Sequence, residues 1–201
     1  MLYGGTAVAL YLGHRTSVDF DFFRAEPLDK DEIYAAFPAV ADAALLQDSV
    51  DTLVASVSIA DEAVKLSFFG GVDIGRVADP LQTADGVLLA ASPLDLLGTK
   101  LKAILDRAQA RDYQDIAALL RAGVSLASGV AAFRALFAGE PATVLRAIGY
   151  FADVPSVAAA DRDILTSARD AVRALPAVGA TPGSLAVPIG PCYAIVDPFG
   201  Q

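Results

Sequence analysis

Alternating apolar and polar positions predict a strand close to the start of the chain. In residues 17–23, SVDFDFF, valine and phenylalanine occupy every second position, and Asp19 and Asp21 lie between them. Side chains two residues apart on a strand project from the same face. The pattern therefore predicts a strand with one buried apolar face and with both aspartates on the other.

Two longer apolar segments predict a hairpin. Residues 51–60 and 63–70 are rich in β-branched and other apolar residues, and the Asp61-Glu62 pair between them predicts a tight turn. Residues 86–91 predict a further short strand or buried segment.

Helical patterns flank these strands. Gly4 and Gly5 precede an apolar stretch that predicts a short helix beginning at Thr6. Gly13 suits the end of this helix, because glycine readily adopts the left-handed conformation found there. Residues 28–37 predict another helix, which the following proline closes.

In the second half of the chain the apolar period changes from two to about 3.6 residues. Ser92 and Pro93 predict a helix start as cap and first residue, and Asp112 predicts the cap of the next helix. Three more helices are predicted at 124–139, 142–151 and 161–175. The fold class expected is α+β, with a mixed sheet-and-helix core at residues 1–91 and a helical region with an irregular tail at residues 92–201.

The composition narrows the class of protein. Of 201 residues, 55% are hydrophobic, which is enough for a substantial core. A single cysteine, Cys192, excludes an internal disulfide and is expected to be packed, and a single histidine, His14, excludes a metal site of three histidines. The net charge of −9 counts against broad nucleic-acid binding, leaves room for a local basic patch, and suits Mg²⁺ held by carboxylates. Because no long apolar stretch and no signal-peptide pattern is present, we expect a cytoplasmic protein outside the membrane.

The opening stretch can be interpreted as a binding site. The glycines allow an anion to approach bare backbone, and the start of the following helix directs free N–H groups at the same place. Asp19 and Asp21 lie about 7 Å apart along their strand, and two divalent ions about 4 Å apart can share such a pair. The same residues also fit an ordinary turn and a solvated strand face, so the pattern alone leaves both interpretations open.

Two motifs resemble a known family. Residues 3–23, YGGTAVALYLGHRTSVDFDFF, closely resemble the opening motif of the nucleotidyltransferase family of AbiEii/AbiGii toxins, with its glycine pair, Gly-His-Arg and Asp-x-Asp strand. Residues 100–120, KLKAILDRAQARDYQDIAALL, resemble the Lys…Arg…Arg-Asp-x-x-Asp segment of that family. The resemblance covers about residues 2–120.

The resemblance implies a polymerase-β-like nucleotidyltransferase core, Mg²⁺ or Mn²⁺ as cofactor and a nucleoside triphosphate as substrate. The family is associated with toxin–antitoxin systems, and some members transfer nucleotides to tRNA, so a cognate antitoxin and a tRNA or protein acceptor are expected partners. Asp19 and Asp21 are the expected metal ligands. The expected catalytic residues are Asp19, Asp21, Lys100 and Asp115. The expected nucleotide-binding residues are Gly4, Gly5, Thr6, Arg15, Arg107 and Arg111.

Some of these residues also have structural interpretations. His14 is expected to cap or pack at the turn after the first helix. Arg15 is expected to bind either a phosphate or one of the paired aspartates. Lys100 has an alternative as a solvated lysine opposite a leucine stripe, and Asp115 is expected to orient Lys100 or an arginine. Arg107 and Asp112 belong to the second motif.

Arg107 and Arg111 are expected four residues apart on one helical face, where like charges repel. A phosphate or Asp115 between them would relieve this repulsion.

The chain departs from the family pattern at two points. Many enzymes of this fold place a third carboxylate on a neighbouring strand, and this chain has Ser67 there. Family members also carry a helical segment before the glycine pair, so either the start lies upstream or one edge of the site is open. Three functions are therefore predicted: nucleotidyl transfer to tRNA or protein, a catalytically impaired nucleotide-binding or interaction module, and nucleotidyl transfer to a small cationic molecule such as an aminoglycoside.

Overall fold

The computed structural model of the protein describes residues 1–181 and residue 185. Within them the fold is α+β, as predicted, with a seven-stranded mixed sheet and eight helices. The predictions for Cys192 and for most of the tail lie outside the described residues.

The sheet joins strands from the whole first half of the chain. In chain order they are β1 (Leu2–Tyr3), β2 (Asp19–Phe23), β3 (Ala44–Ser49), β4 (Thr52–Ile59), β5 (Glu62–Phe69), β6 (Leu81–Gln82) and β7 (Leu89–Ala90). They lie side by side in the order β3-β4-β5-β2-β1-β7-β6. The β2–β5 and β1–β7 pairs are parallel, and the other neighbours are antiparallel. The central strands β1, β2 and β5 carry the residues of the candidate site.

Helices occur both before and after residue 91 in the sequence. They are α1 (Gly4–Leu12), α2 (Lys30–Ala36), α3 (Pro38–Ala41), α4 (Pro93–Asp106), α5 (Ala110–Arg121), α6 (Leu126–Phe137), α7 (Pro141–Ala147) and α8 (Ala159–Ala171). The three helices predicted after residue 123 are confirmed as α6, α7 and α8. Helix α1 begins two residues earlier than predicted, at Gly4, directly after β1.

The predicted hairpin is confirmed as β4 and β5, but its turn was placed one residue too late. Ala60 and Asp61 form the turn, and both have positive φ values, of 50° and 66°. Glu62 already pairs with Ile59 inside the ladder. Positive φ at both central residues is typical of the type I′ turn that matches the twist of two-residue hairpins.

Of the two helix caps predicted in the second half of the chain, one is confirmed and the other is wrong. Ser92 caps α4, accepting a hydrogen bond from the backbone N–H of Asp95 at 3.0 Å, and Pro93 is the first helical residue, as predicted. Asp112 is not a cap, because α5 begins at Ala110. Its carboxylate instead accepts a hydrogen bond from Lys100 of the preceding helix.

One large core connects the sheet with the helices. It contains Leu2 and Val8 from the start of the chain and Leu97, Ile116 and Phe133 from α4, α5 and α6, all 2% exposed or less. A smaller apolar cluster lies between α2, α3 and strands β4 and β5. The division of the chain at residue 91 stays a prediction, and α4 and α5 pack directly against α1.

None of the helices within the described residues has the length and apolar character required to cross a membrane.

Candidate active site

The glycine pair forms a tight bend between β1 and α1. Gly4 has a φ of 74°, and a β-carbon there would lie 2.6 Å from Oδ2 of Asp21. A β-carbon on Gly5 would overlap the guanidinium group of Arg15. The positive φ favours glycine at Gly4, and a side chain at Gly5 would displace the guanidinium group of Arg15.

The backbone amides at this bend are not capped by a side chain. Tyr3 occupies the cap position of α1 and makes no side-chain cap hydrogen bond. Thr6 directs its hydroxyl inward, where it hydrogen-bonds the hydroxyl of Ser17 at 2.8 Å and donates to the carbonyl of Asp19. The Thr6 hydroxyl thus ties α1 to the start of β2.

The two aspartates of β2 share one face of the sheet, as predicted. In the parallel register of β2 and β5, Asp19 lies opposite Lys65 and Asp21 lies opposite Ser67. Nζ of Lys65 is 3.7 Å from Oδ1 of Asp19, and both side chains are almost half exposed. Ser67, at 2% exposure, hydrogen-bonds the carboxylate of Asp21.

Asp21 is the more deeply placed of the two acids, and its pKa is raised. The main cause is burial, and the negative charge of Asp19 acts in the same direction. The hydrogen bond from Ser67 and the positive charges of Lys65 and Lys100 oppose the shift. Among the described residues Asp21 forms no ion pair, so the site contains a partly buried carboxylate without a matching cation.

A buried charge network lies behind the glycine bend and is centred on Asp115. This aspartate is fully buried, and its carboxylate is contacted by Nε2 of His14 at 2.8 Å, Nε of Arg15 at 2.7 Å and Nζ of Lys100 at 2.7 Å. Burial alone would raise the pKa of Asp115, but the hydrogen bonds from His14 and Arg15 and the charge of Lys100 hold it well below its usual range. Asp115 stays ionised and fixes three side chains from α4 and from the turn after α1.

A second carboxylate extends the network toward the surface. Asp112 accepts a hydrogen bond from Nζ of Lys100 at 2.8 Å and from Nε of Arg107 at 3.0 Å. Lys100 is only 5% exposed, so its interpretation as a solvated lysine is wrong. The side chain of Arg107 remains 56% exposed beside Asp112.

A cavity of about 340 Å³ adjoins the bend. Its polar wall consists of Gly4, Asp21, Lys100 and Arg107, together with Thr99, Lys102 and Asp106. Its apolar wall includes Tyr3, Phe23, Phe69, Val72, Ile74 and Phe137. The rings of Phe23 and Phe69 meet edge to face with centroids 5.3 Å apart. The cavity lining thus combines charged and aromatic side chains.

Comparison with known proteins identifies the family. The model of the family described as "Nucleotidyl transferase AbiEii toxin, Type IV TA system" matches residues 1–181. The chain belongs to the AbiEii family. It is also 31% identical, over 122 residues, to an uncharacterized protein of Aquifex aeolicus (strain VF5). That similarity covers 60% of this chain, which spans a little over half (57%) of the length of the curated relative.

Membership of the AbiEii family confirms the family that the sequence resembles. The α+β architecture is consistent with a nucleotidyltransferase fold.

The donor set of this AbiEii family member fits a magnesium ion at Asp21. The carboxylate lies against the bend, opens to the cavity and is not neutralised by a cation within 4.0 Å among the described residues. No group of three or more His, Cys, Asp or Glu side chains in residues 1–181 and 185 is arranged to hold a metal. The ion would therefore take Asp21 and Asp19 as protein ligands and complete its shell with phosphate oxygens and water, which is a common mode for Mg²⁺.

The structure brings most of the predicted residues together, but not all of them. Arg15 pairs with Asp115 rather than with Asp19 or Asp21. Arg107 and Arg111 do not share a helical face, because Arg107 follows the last residue of α4 and Arg111 lies in the first turn of α5.

Six predicted residues do not line the cavity within the described chain: Gly5, Thr6, Arg15, Asp19, Arg111 and Asp115. Arg111 is exposed. The backbone carbonyl of Asp19 is held by Thr6, and Asp115 acts through Lys100, which reaches the cavity wall.

Sequence reasoning missed two partners in the site. His14 was expected to cap a turn and instead contacts Asp115, which lies 101 residues away. Lys65 was not considered, although its position two residues before Ser67 places it on the same strand face. The alternation of β5 was the signal that could have identified Lys65 as a neighbour of the acids.

Proposed function

We propose that the chain transfers a nucleotide from a nucleoside triphosphate to a hydroxyl group of tRNA or protein, with Mg²⁺, as the toxin of a toxin–antitoxin pair. The observation that carries the proposal is the position of Asp21. A carboxylate without a cation partner, against an uncapped helix start and at the mouth of a cavity, is suited to a magnesium-bound triphosphate. The polymerase-β-like identity of the core is part of this proposal.

The charges around the cavity support phosphate binding. Three permanent cations, Arg15, Lys100 and Arg107, share two carboxylates, Asp112 and Asp115. When Asp21 is counted as well, the three cations balance three carboxylates, so a bound Mg²⁺ would supply the further positive charge that a triphosphate needs. Lys100 and Arg107 line the cavity directly, and the free amides at the start of α1 add a positive partial charge.

The aromatic side chains in the cavity lining suit a nucleobase. Phe23 and Phe69 are half-buried and lie in the same cavity as Asp21. A base has a π-face, and stacking on aromatic side chains is favourable for every base. The triphosphate would then extend from Phe23 toward the Gly4 bend.

In the proposed reaction an acceptor hydroxyl oxygen attacks the α-phosphorus in line. A bond forms between the two atoms, the bond from the α-phosphorus to the bridging oxygen breaks, pyrophosphate leaves, and the hydroxyl proton passes to water. Mg²⁺, held by Asp19 and Asp21, neutralises phosphate charge when bound. Lys100 and Arg107 hold the phosphates, so positioning and charge compensation supply most of the rate.

The proposal is tested by incubating the protein with Mg²⁺, a cell extract and each α-³²P-labelled triphosphate in turn. The wild type is compared with Asp21→Asn and Asp19→Asn, and Asp48→Asn, an exposed aspartate on the edge strand β3, is the matched control. We expect label in macromolecules with the wild type and the control, and at least a hundredfold less with the two variants. Nuclease and protease digestion separate RNA from protein, and a parallel incubation with aminoglycosides tests a small-molecule acceptor. Equal labelling by Asp21→Asn would refute the proposal.

A second candidate function is a nucleotide-binding or interaction module without transferase chemistry. It is favoured by Ser67, which lies opposite Asp21 where a third carboxylate was expected, since an unactivated hydroxyl is a weak base at neutral pH. Magnesium-dependent triphosphate binding without transfer to any acceptor would support this candidate. Labelled RNA or protein would exclude it.

A further inference from the structure

The strand face that carries the paired aspartates also carries a cation of the protein itself. Lys65 lies directly opposite Asp19 in the parallel β2–β5 register, with Nζ 3.7 Å from Oδ1. Ser67, the next residue of β5 on the same face, lies opposite Asp21. The face therefore presents two carboxylates, one neutral hydroxyl and one ammonium group.

This set of groups matches one divalent ion better than two. A single Mg²⁺ balances the charges of Asp19 and Asp21. Two-metal sites hold their ions about 4 Å apart, which requires further anionic ligands that bridge or flank them. Here the Lys65 ammonium would repel a second ion beside Asp19, and Ser67 carries no negative charge with which to bind that ion.

The two aspartates have different surroundings. Asp21 packs against Gly4, lines the cavity and forms no ion pair within the described residues. Asp19 is outside the cavity lining and has the Lys65 ammonium as its neighbour. Asp21 is thus the acid that an external cation would approach from the cavity, and Asp19 already has a positive charge beside it.

We propose that the site binds one divalent ion, with Asp21 as its main ligand and Asp19 as its second, and that Lys65 takes the place of a second ion beside Asp19. This inference rests on the proposed function. Lysine suits the role, because its ammonium group is a compact point charge on a flexible four-carbon stem. The side chain is 41% exposed, so it can shift from Asp19 toward a bound phosphate without unfolding the sheet.

The proposal is tested by counting bound ions rather than by activity. Mn²⁺ is titrated into the protein in the presence of each α,β-methylene ribonucleoside triphosphate in turn, which cannot be cleaved at the α-phosphorus. Free Mn²⁺ is measured by electron paramagnetic resonance, with nucleotide alone as the blank. The variants are Lys65→Ala and Lys65→Ala/Ser67→Asp. Lys30→Ala, which removes another partly exposed lysine paired with an aspartate, is the matched control.

We expect one Mn²⁺ per chain in the wild type and in Lys30→Ala. Lys65→Ala should gain a second, weaker ion, and the double variant should bind two with a spin-coupled signal. Lys65→Ala keeps the inference testable if the buried aspartate of the double variant prevents folding. Two ions in the wild type would overturn the inference and leave the proposed function standing. A count that stays at one in folded Lys65→Ala and in the double variant would also overturn it. No bound ion in the wild type would overturn both.

Discussion

Replacing Asp115 by asparagine should destabilise the protein strongly. Asp115 is fully buried, and its carboxylate is the only one within the described chain that pairs with Arg15, a residue with 14% side-chain exposure. Asparagine keeps the size and one acceptor oxygen but removes the negative charge between Arg15 and Lys100. Breaking a buried ion pair by removing one partner costs about 3–5 kcal/mol. For a chain of this length that corresponds to a fall in Tm of roughly 6–20 °C.

The measurement is urea denaturation followed by far-UV circular dichroism, with wild type and variant compared at neutral pH. Asp106→Asn is the control, because its partner Lys102 lies one turn away on α4 and both side chains are exposed. An exposed pair of this kind contributes at most about 0.5 kcal/mol. A loss below about 1 kcal/mol for Asp115→Asn would contradict the view that its charge organises the network.

The pH dependence gives the same prediction a second test. The pKa of Asp115 is lowered in the folded protein, so its contribution is fully present above the pKa of the unfolded chain, about 3.9. The contribution decreases progressively as the pH falls from that value through the still lower folded value. The stability difference between wild type and Asp115→Asn should therefore stay constant from pH 7 to about pH 5 and narrow below pH 4. A difference that already disappears between pH 7 and pH 5 would contradict the assignment.

Three further predictions concern the cavity. Asp21→Asn should stabilise the metal-free protein at pH 7, because burial raises the pKa of Asp21 and so disfavours its ionised form. This gain in stability should shrink as the pH falls and Asp21 takes up a proton. Mg²⁺ with a triphosphate should raise the Tm of the wild type but not of the variant. Gly4→Ala should cost about 1–2 kcal/mol through its positive φ and should displace Asp21, so calorimetry should show no triphosphate binding. Arg107→Ala should change the free energy of unfolding by less than about 1 kcal/mol, because the Arg107 side chain is 56% exposed. Triphosphate affinity, measured by calorimetry, should fall about tenfold or more. Unchanged affinity would show that Arg107 does not bind the phosphates.

The elements that the sequence predicted well are those whose signal is local. The strand at Asp19 and Asp21 follows from strict alternation over a few residues, and its partner β5 has the same period. The start of α4 follows from Ser92 and Pro93, whose side chains act within one turn of the backbone. Such features depend little on what packs against them.

The elements that were missed depend on distant parts of the chain. Strands β1 and β6 have two residues each, too few to show a period of apolar residues. They form only because they pair with neighbouring strands. The six residues of β3 are all exposed, so no apolar alternation marks that strand. Asp112 was taken for a cap because acids favour helix starts, but Lys100 and Arg107 of the preceding segment hold its carboxylate.

The buried network explains why the candidate metal position is available. Two permanent cations lie close to the bend: Lys100, whose charge acts on Asp21, and Arg15, whose guanidinium group lies against Gly5. Both are engaged by Asp115, with Asp112 as a second partner of Lys100. Asp21 is thereby left partly buried and without a cation within 4.0 Å in the described chain. Asp115→Asn should therefore lower Mn²⁺ affinity as well as stability, because it removes one of the two carboxylates that engage Lys100, whose charge already acts on Asp21.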